Sequence, residues 1–138
     1  MLPEDLKQKL MEVDSSRNKR HEVAFWITKK THYVRETLQW CFTEESELLV
    51  QSAWVLEIIC EYKAKNFFKY MHVFFEKLPT IKNDSALRSC AKICEMLCHY
   101  HFMKGLGIFY EVLNKNERKI ITECCFDWLI TDQKVACQ

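Results

Sequence analysis

Three cysteines at four-residue spacing, Cys90, Cys94 and Cys98, run into His99 and His101 and form the densest set of potential ligands in the chain. Thiolates and imidazoles are zinc ligands, so on one helix they could meet a metal ion or a cluster. Residues four apart sit on adjacent turns of the same face, which brings the three sulfurs near one another. Two features favour a plainer role. Structural zinc sites take their ligands from Cys-x2-4-Cys turns joined to a second, distant pair. Cysteines along one continuous helix instead drift by about 40° per step. Leu87 and Leu97 share the same seam, where a thiol behaves as a small hydrophobe. The reading is core thiols, with no metal and no cofactor.

Other chemistry-bearing residues are more scattered. Cys124 and Cys125 are adjacent, and neighbours on a helix point about 100° apart, so at most one of them is expected to be reactive. The five histidines show no Ser-His-Asp or Cys-His-Asn grouping, and the chain is not expected to be an enzyme. Arg17, Lys19, Arg20, Lys29, Lys30 and Arg35 give the first third a basic lean, with Trp26 and Trp40 nearby. Such residues are weak phosphate-binding candidates, because Asp14, Glu22 and Glu36 interrupt them. Lys and Arg total 20 against 19 Asp and Glu, which lacks the basic excess of a dedicated nucleic-acid surface. Nucleic-acid binding is therefore the alternative rather than the first reading.

The elements that position these residues are helices. Only two Gly and two Pro occur in 138 residues, too few for the tight turns of a small-strand sandwich or barrel. Apolar periodicity predicts a short helix opened by Pro3 with Leu6, Leu10 and Val13 as its seam. Ser15 or Ser16 can cap a second over about 17–29, facing Val23, Ala24 and Ile27 inward with Phe25 and Trp26 widening the face. Thr31 can cap a third over about 32–42. Later helices are predicted over about 67–78, where Pro79 disfavours helical geometry in Leu78, over about 85–102, and over about 115–130. The last is expected to bury Ile121, Cys124, Cys125, Trp128 and Leu129, with Asn114 and Glu117 as a capping box. The 104–114 stretch is read as a loop or one or two helical turns.

The chain is organised around a helix predicted over about 46–63, containing Gln51-Ser52-Ala53-Trp54-Val55-Leu56-Glu57. Its circumference is mostly apolar, so it needs neighbours on several sides. Glu47, Gln51, Glu57 and Glu61 share one arc, and Trp54 and Ile58 fall inside that arc. Trp54 and Ile58, rimmed by Glu57 and Glu61, are the candidate binding surface. Glu4, Asp5, Glu12 and Asp14 exclude a signal peptide in the first twenty residues. No uncharged run approaches the roughly 18 residues of a membrane span. A cytoplasmic protein with free, mostly buried thiols and no membrane association is expected.

Asn18-Lys19-Arg20-His21 with Ala24, then Ser52-Ala53-Trp54-Val55-Leu56-Glu57, then Cys125-Phe126-Asp127-Trp128-Leu129 with Val135-Ala136, resemble a family of small bacterial HEAT-like helical-repeat proteins. The resemblance runs from about residue 17 to the end, and Ala-Trp-Val-Leu-Glu is its most specific motif. It implies an all-α fold of stacked antiparallel helical hairpins, a HEAT-like α-α superhelix of six to seven helices in one domain, 1–138. In that family another helix pair follows Val135-Ala136, whereas this chain stops at Gln138, so a missing C-terminal pair is allowed for. Similar chains are sometimes named adenylosuccinate lyase. That enzyme relies on a flexible Gly- and Ser-containing loop, and the only Gly-containing segment here is 104–108, so the activity is not expected.

The function read from the residues is a non-catalytic protein- or peptide-binding scaffold. Its four Trp, five Tyr and nine Phe exceed the needs of a small helical core, and aromatics are favoured interface anchors. Self-association is the competing use of such a surface. A small enzyme or metal-binding protein is the remaining alternative.

Overall fold

A computed structural model of the chain describes residues 3–43, 47–103 and 111–131. Among these residues there are eight α-helices, one 3-10 turn and no strand. The helices are α1 (Glu4–Met11), α2 (Arg17–Thr28), α3 (Thr31–Cys41), α4 (Leu49–Tyr62), α5 (Ala64–Phe68), α6 (Met71–Lys77), α7 (Asp84–Phe102) and α8 (Lys115–Thr131). None of them is long and apolar enough to cross a membrane. The all-α expectation holds. The readings placed on 104–110, on Ser46, on the side chain of Leu129 and on Val135-Ala136 lie outside the described residues.

The helix starts follow side-chain chemistry where capping residues are present. Ser16 Oγ accepts the Lys19 N–H at 3.3 Å and caps α2. Asn83 Oδ1 accepts the Ala86 N–H at 3.0 Å and caps α7. Asn114 and Glu117 form a reciprocal capping box at α8, with bonds of 2.7 and 2.9 Å. Each cap satisfies donors that the first helical turn leaves without a partner. The third helix departs from expectation, because Thr31 is its first residue and Lys30 occupies the cap position without a side-chain bond.

The stretch expected as one helix over 67–78 is two, which contributes to the larger helix count. Tyr70 leaves helical geometry at φ −116°, ψ 17°, and its N–H tightens to the Phe67 carbonyl at 3.0 Å. A straight helix would separate adjacent aromatics by about 100° and expose part of the set. Around the break, Phe67, Met71, Val73, Phe74, Phe75 and Leu78 are all buried. The Phe74 ring meets Phe67 at 5.3 Å and Phe75 at 5.2 Å, both edge to face. Packing of this kind outweighs the modest helix propensity of the residues involved. The helix stops near Pro79, but Leu78 itself stays right-handed helical at φ −51°, ψ −44° and begins the 3-10 turn.

Helix α4 is the centre of the packing. Leu49, Ser52, Ala53, Val55, Leu56, Ile58, Ile59 and Cys60 are buried along its 14 residues. It packs most extensively on α7, is flanked by α3 and α2, and also touches α1 and α5. Burying each Leu or Ile side chain stabilises by roughly 1.5–3 kcal/mol, so α4 carries much of the apolar contribution. Tyr100 on α7 locks its end, donating to the Cys60 carbonyl at 3.0 Å. The core therefore holds α2 and α7 against two flanks of one helix.

Candidate functional site

The cysteine seam of α7 faces inward. Cys90 and Cys94 are buried, Cys98 is half-buried and His99 is exposed. A hydrogen bond with Cys41 across from α3, together with burial, pushes the Cys90 thiol well up. Burial does the same to Cys94 and to Cys60, while burial, then the nearby Asp127 carboxylate, raise Cys124 to about 11. A protonated thiol is neither a nucleophile nor a ready metal ligand. Among the described residues, no group of three or more His, Cys, Asp or Glu side chains is placed to share one metal ion. His101 is a structural residue, since its Nδ1 accepts the Leu113 N–H at 2.9 Å. That bond ties the start of α8 back to the end of α7.

One cysteine expectation is corrected. Cys125 is exposed while Cys124 is buried, the two side chains pointing about 100° apart on α8. Phe25 is also more open than expected, at 37% exposure. Its ring packs on the surface with Tyr62 at 6.3 Å and His21 at 5.9 Å instead of turning inward.

Several of the six basic candidates are engaged by neighbouring side chains. Lys19 pairs with Glu22 at 3.2 Å and Glu12 at 3.5 Å. Lys30 pairs with Asp5 at 3.3 Å and lies over the Trp26 ring. Arg17 donates to the Tyr62 hydroxyl at 3.1 Å. Lys29 and Arg35 are exposed on α2's end and on α3. Trp26 and Trp40 are half-buried against the core, and the Trp40 indole N–H lies inside it. Of the six, Arg20 stacks on Trp54 near the middle of α4 and Arg17 reaches Tyr62 at its end.

The surface predicted on α4 is partly rearranged. Ile58 is 7% exposed and belongs to the core, because the helices around α4 cover it. Glu61 is exposed at the helix end. Trp54 is half-buried, and the Arg20 guanidinium stacks on its ring at 4.1 Å from the centroid. Glu57 pairs with Lys92 of α7 at 3.6 Å. Trp54 and Glu57 thus border a cleft of about 250 Å³ whose remaining walls are Arg20, Ser85, Arg88, Ser89 and Lys92. Helix α2 supplies Arg20, α4 supplies the ring and carboxylate, and α7 supplies the rest. Arg88 and Lys92 were not singled out in the sequence. The signal that existed was the pair of four-residue spacings, Ser85 with Ser89 and Arg88 with Lys92, which align on one face of α7.

Two other clefts offer less. A larger one, about 350 Å³, is lined by Cys41, Phe42, Leu49, Thr80, Ile81, Lys82 and Asn83. The Asn83 side-chain oxygen there is committed to capping α7. A third, of about 240 Å³, includes Asn114 and Glu117, which bond each other's backbones in the capping box. In the α2–α4–α7 cleft, two arginines, a lysine, a carboxylate and two serines converge around an aromatic ring. Set against models of known families, curated proteins and solved structures, the chain matches none.

Proposed function

We propose that the chain is a non-catalytic binding module that takes a segment of a protein or peptide in the cleft between α2, α4 and α7. The observation that carries this reading is Trp54, an aromatic ring half-covered by one arginine at the edge of a mixed-charge cleft. Aromatic and arginine side chains are the groups that most often dominate protein recognition. The cleft has donors on several sides and no nucleophile paired with a base, which suits holding a ligand rather than transforming it. Stacked HEAT-like hairpins, as the resemblance implies, would present successive helices along one such face. A cytoplasmic, reducing setting fits the free thiols, which lie largely inside the protein.

The test is selection of binding peptides from a random display library on the immobilised chain, followed by affinity measurement. Trp54→Ala is expected to weaken a selected peptide by about tenfold or more, the effect of losing a contact worth about 1.4 kcal/mol. Selected peptides that bind the Trp54→Ala variant as tightly as the parent would place recognition elsewhere.

A second reading, self-association through α8, draws on Phe126, which is 62% exposed. Light scattering at rising concentration should then show a dimer that Phe126→Asp removes. A monomer throughout would eliminate that reading.

A further inference from the structure

We infer that the α2–α4–α7 cleft recognises a phosphorylated residue, phosphoserine or phosphothreonine within a peptide, with Arg20, Arg88 and Lys92 holding the phosphate. The inference rests on the peptide-binding reading and adds the chemistry of the ligand. Three cations and one carboxylate line the cleft. That leaves two net positive charges in seven residues of a chain whose whole formal charge is +1. Arg88 is exposed and has no ion-pair partner among the described residues. Lys92 is tied to Glu57, but its side chain is 68% exposed and can turn toward an incoming anion.

Arg20 is already oriented. Stacking on Trp54 uses the face of the guanidinium, and its Nε–H goes to the Asp14 carbonyl at 3.4 Å. The outer N–H donors lie in the guanidinium plane, the arrangement that grips two phosphate oxygens at once. Ser85 and Ser89 put hydroxyl donors on the same wall. Ser85 lies in the first turn of α7, where the helix dipole favours negative charge.

Size and surroundings choose between anions. Pockets for whole small molecules run about 300–1,000 Å³, so a cleft of about 250 Å³ fits one group of a larger ligand. A nucleic-acid strand would need a stripe of cations that continues past the cleft. Lys19 on α2 and Lys30 just beyond it are instead neutralised by Glu12, Glu22 and Asp5. The charge is a spot, as in arginine-cluster recognition of phosphorylated motifs.

The experiment uses the full chain and an array of random-flank peptides with a central phosphoserine, alongside identical arrays with serine. Retention should be about tenfold or more stronger on phosphoserine, the size expected for one added charge-assisted hydrogen bond. Arg88→Gln, at an exposed position, should abolish that preference while leaving the thermal melt unchanged. Lys92→Gln should reduce it. Equal binding of serine and phosphoserine peptides, both weakened by Trp54→Ala, would overturn the phosphate inference and leave the peptide-binding reading standing. Binding of neither array at the cleft would overturn both. A single-stranded oligonucleotide that outcompetes the phosphopeptides at equal salt would overturn the inference in favour of a nucleic acid.

Discussion

Helix α7 has two faces that looked different in the sequence and exchange roles in the structure. The face bearing Cys90, Cys94 and Cys98 carries the residue types associated with metals and nucleophiles. It is packed against α3, α4 and α8, and its inner thiols are held protonated by burial and by one another. The opposite face bears Ser85, Arg88 and Lys92, which no sequence motif singles out. Across from α2 and α4 they complete the cleft around Trp54. Residue type suggests chemistry, but exposure and cross-helix neighbours decide whether it is available. A thiol in a dry seam contributes packing, while a surface arginine beside a stacked ring can contribute recognition.

The largest difference between the two faces should follow a charge placed on each in turn. Cys90→Asp is expected to destabilise the fold by about 3–5 kcal/mol, since a buried charge would lack a partner. Arg88→Asp should stay within about 0.5 kcal/mol, as exposed substitutions usually do. Urea denaturation measures both, and similar losses for the two variants would dissolve the distinction between the faces.

A smaller effect probes how tightly α8 seals the thiol seam. Asn114→Ala removes the capping box and should cost about 1 kcal/mol. Fraying of α8 should also speed alkylation of Cys124, read by mass spectrometry, relative to Cys90. On the other side, Arg20→Ala removes the stack on Trp54, worth about 0.5–1 kcal/mol at a partly exposed site. It should leave the alkylation of Cys90 and Cys94 unchanged. Ser52→Ala tests the core of α4, where the buried hydroxyl has no hydrogen-bond partner among the described residues. Because that group is already unsatisfied, the variant is expected to be neutral or more stable by under about 1 kcal/mol. A clear destabilisation would show that the hydroxyl is partnered.

The smallest effect depends on pH. Asp5 accepts a hydrogen bond from the Tyr33 hydroxyl at 2.7 Å, the main reason its carboxyl is held below the ordinary value of 3.8, with Lys30 assisting. A depressed folded value contributes stability above the ordinary range, and that contribution is lost as pH falls through the folded value. The same bond raises Tyr33, whose contribution is present below its ordinary value of 10.0 and fades as pH rises through the folded value. Tyr33→Phe should move the Asp5 carboxyl resonance back up in an NMR titration. An unmoved titration would mean the contact between α1 and α3 does not persist in solution.

Much of the fold was legible because local patterns and tertiary packing agree over most of it. Leu87, Cys90, Cys94 and Leu97 lie along the predicted buried seam of α7, and the caps at Ser16, Asn83 and Asn114 act as their residue types suggest. The break at Tyr70 was not legible, because it follows from fitting paired phenylalanines against α3 rather than from a Gly or Pro. Ile58 was misplaced for a related reason. A helical wheel puts it among carboxylates, but neighbouring helices cover that part of α4. Of the cleft, Trp54 and Glu57 could be found on one helix. Their partners Arg20 and Arg88 are distant in sequence, and no spacing rule joins them.

The most direct test of where recognition sits is chemical-shift mapping of the isotope-labelled chain with a peptide selected by display. Perturbations are expected to cluster on Arg20, Trp54, Glu57, Arg88 and Lys92, with Cys90 and Cys94 silent. Perturbations centred on α8 or the cysteine seam, with the Trp54 indole unmoved, would contradict that expectation.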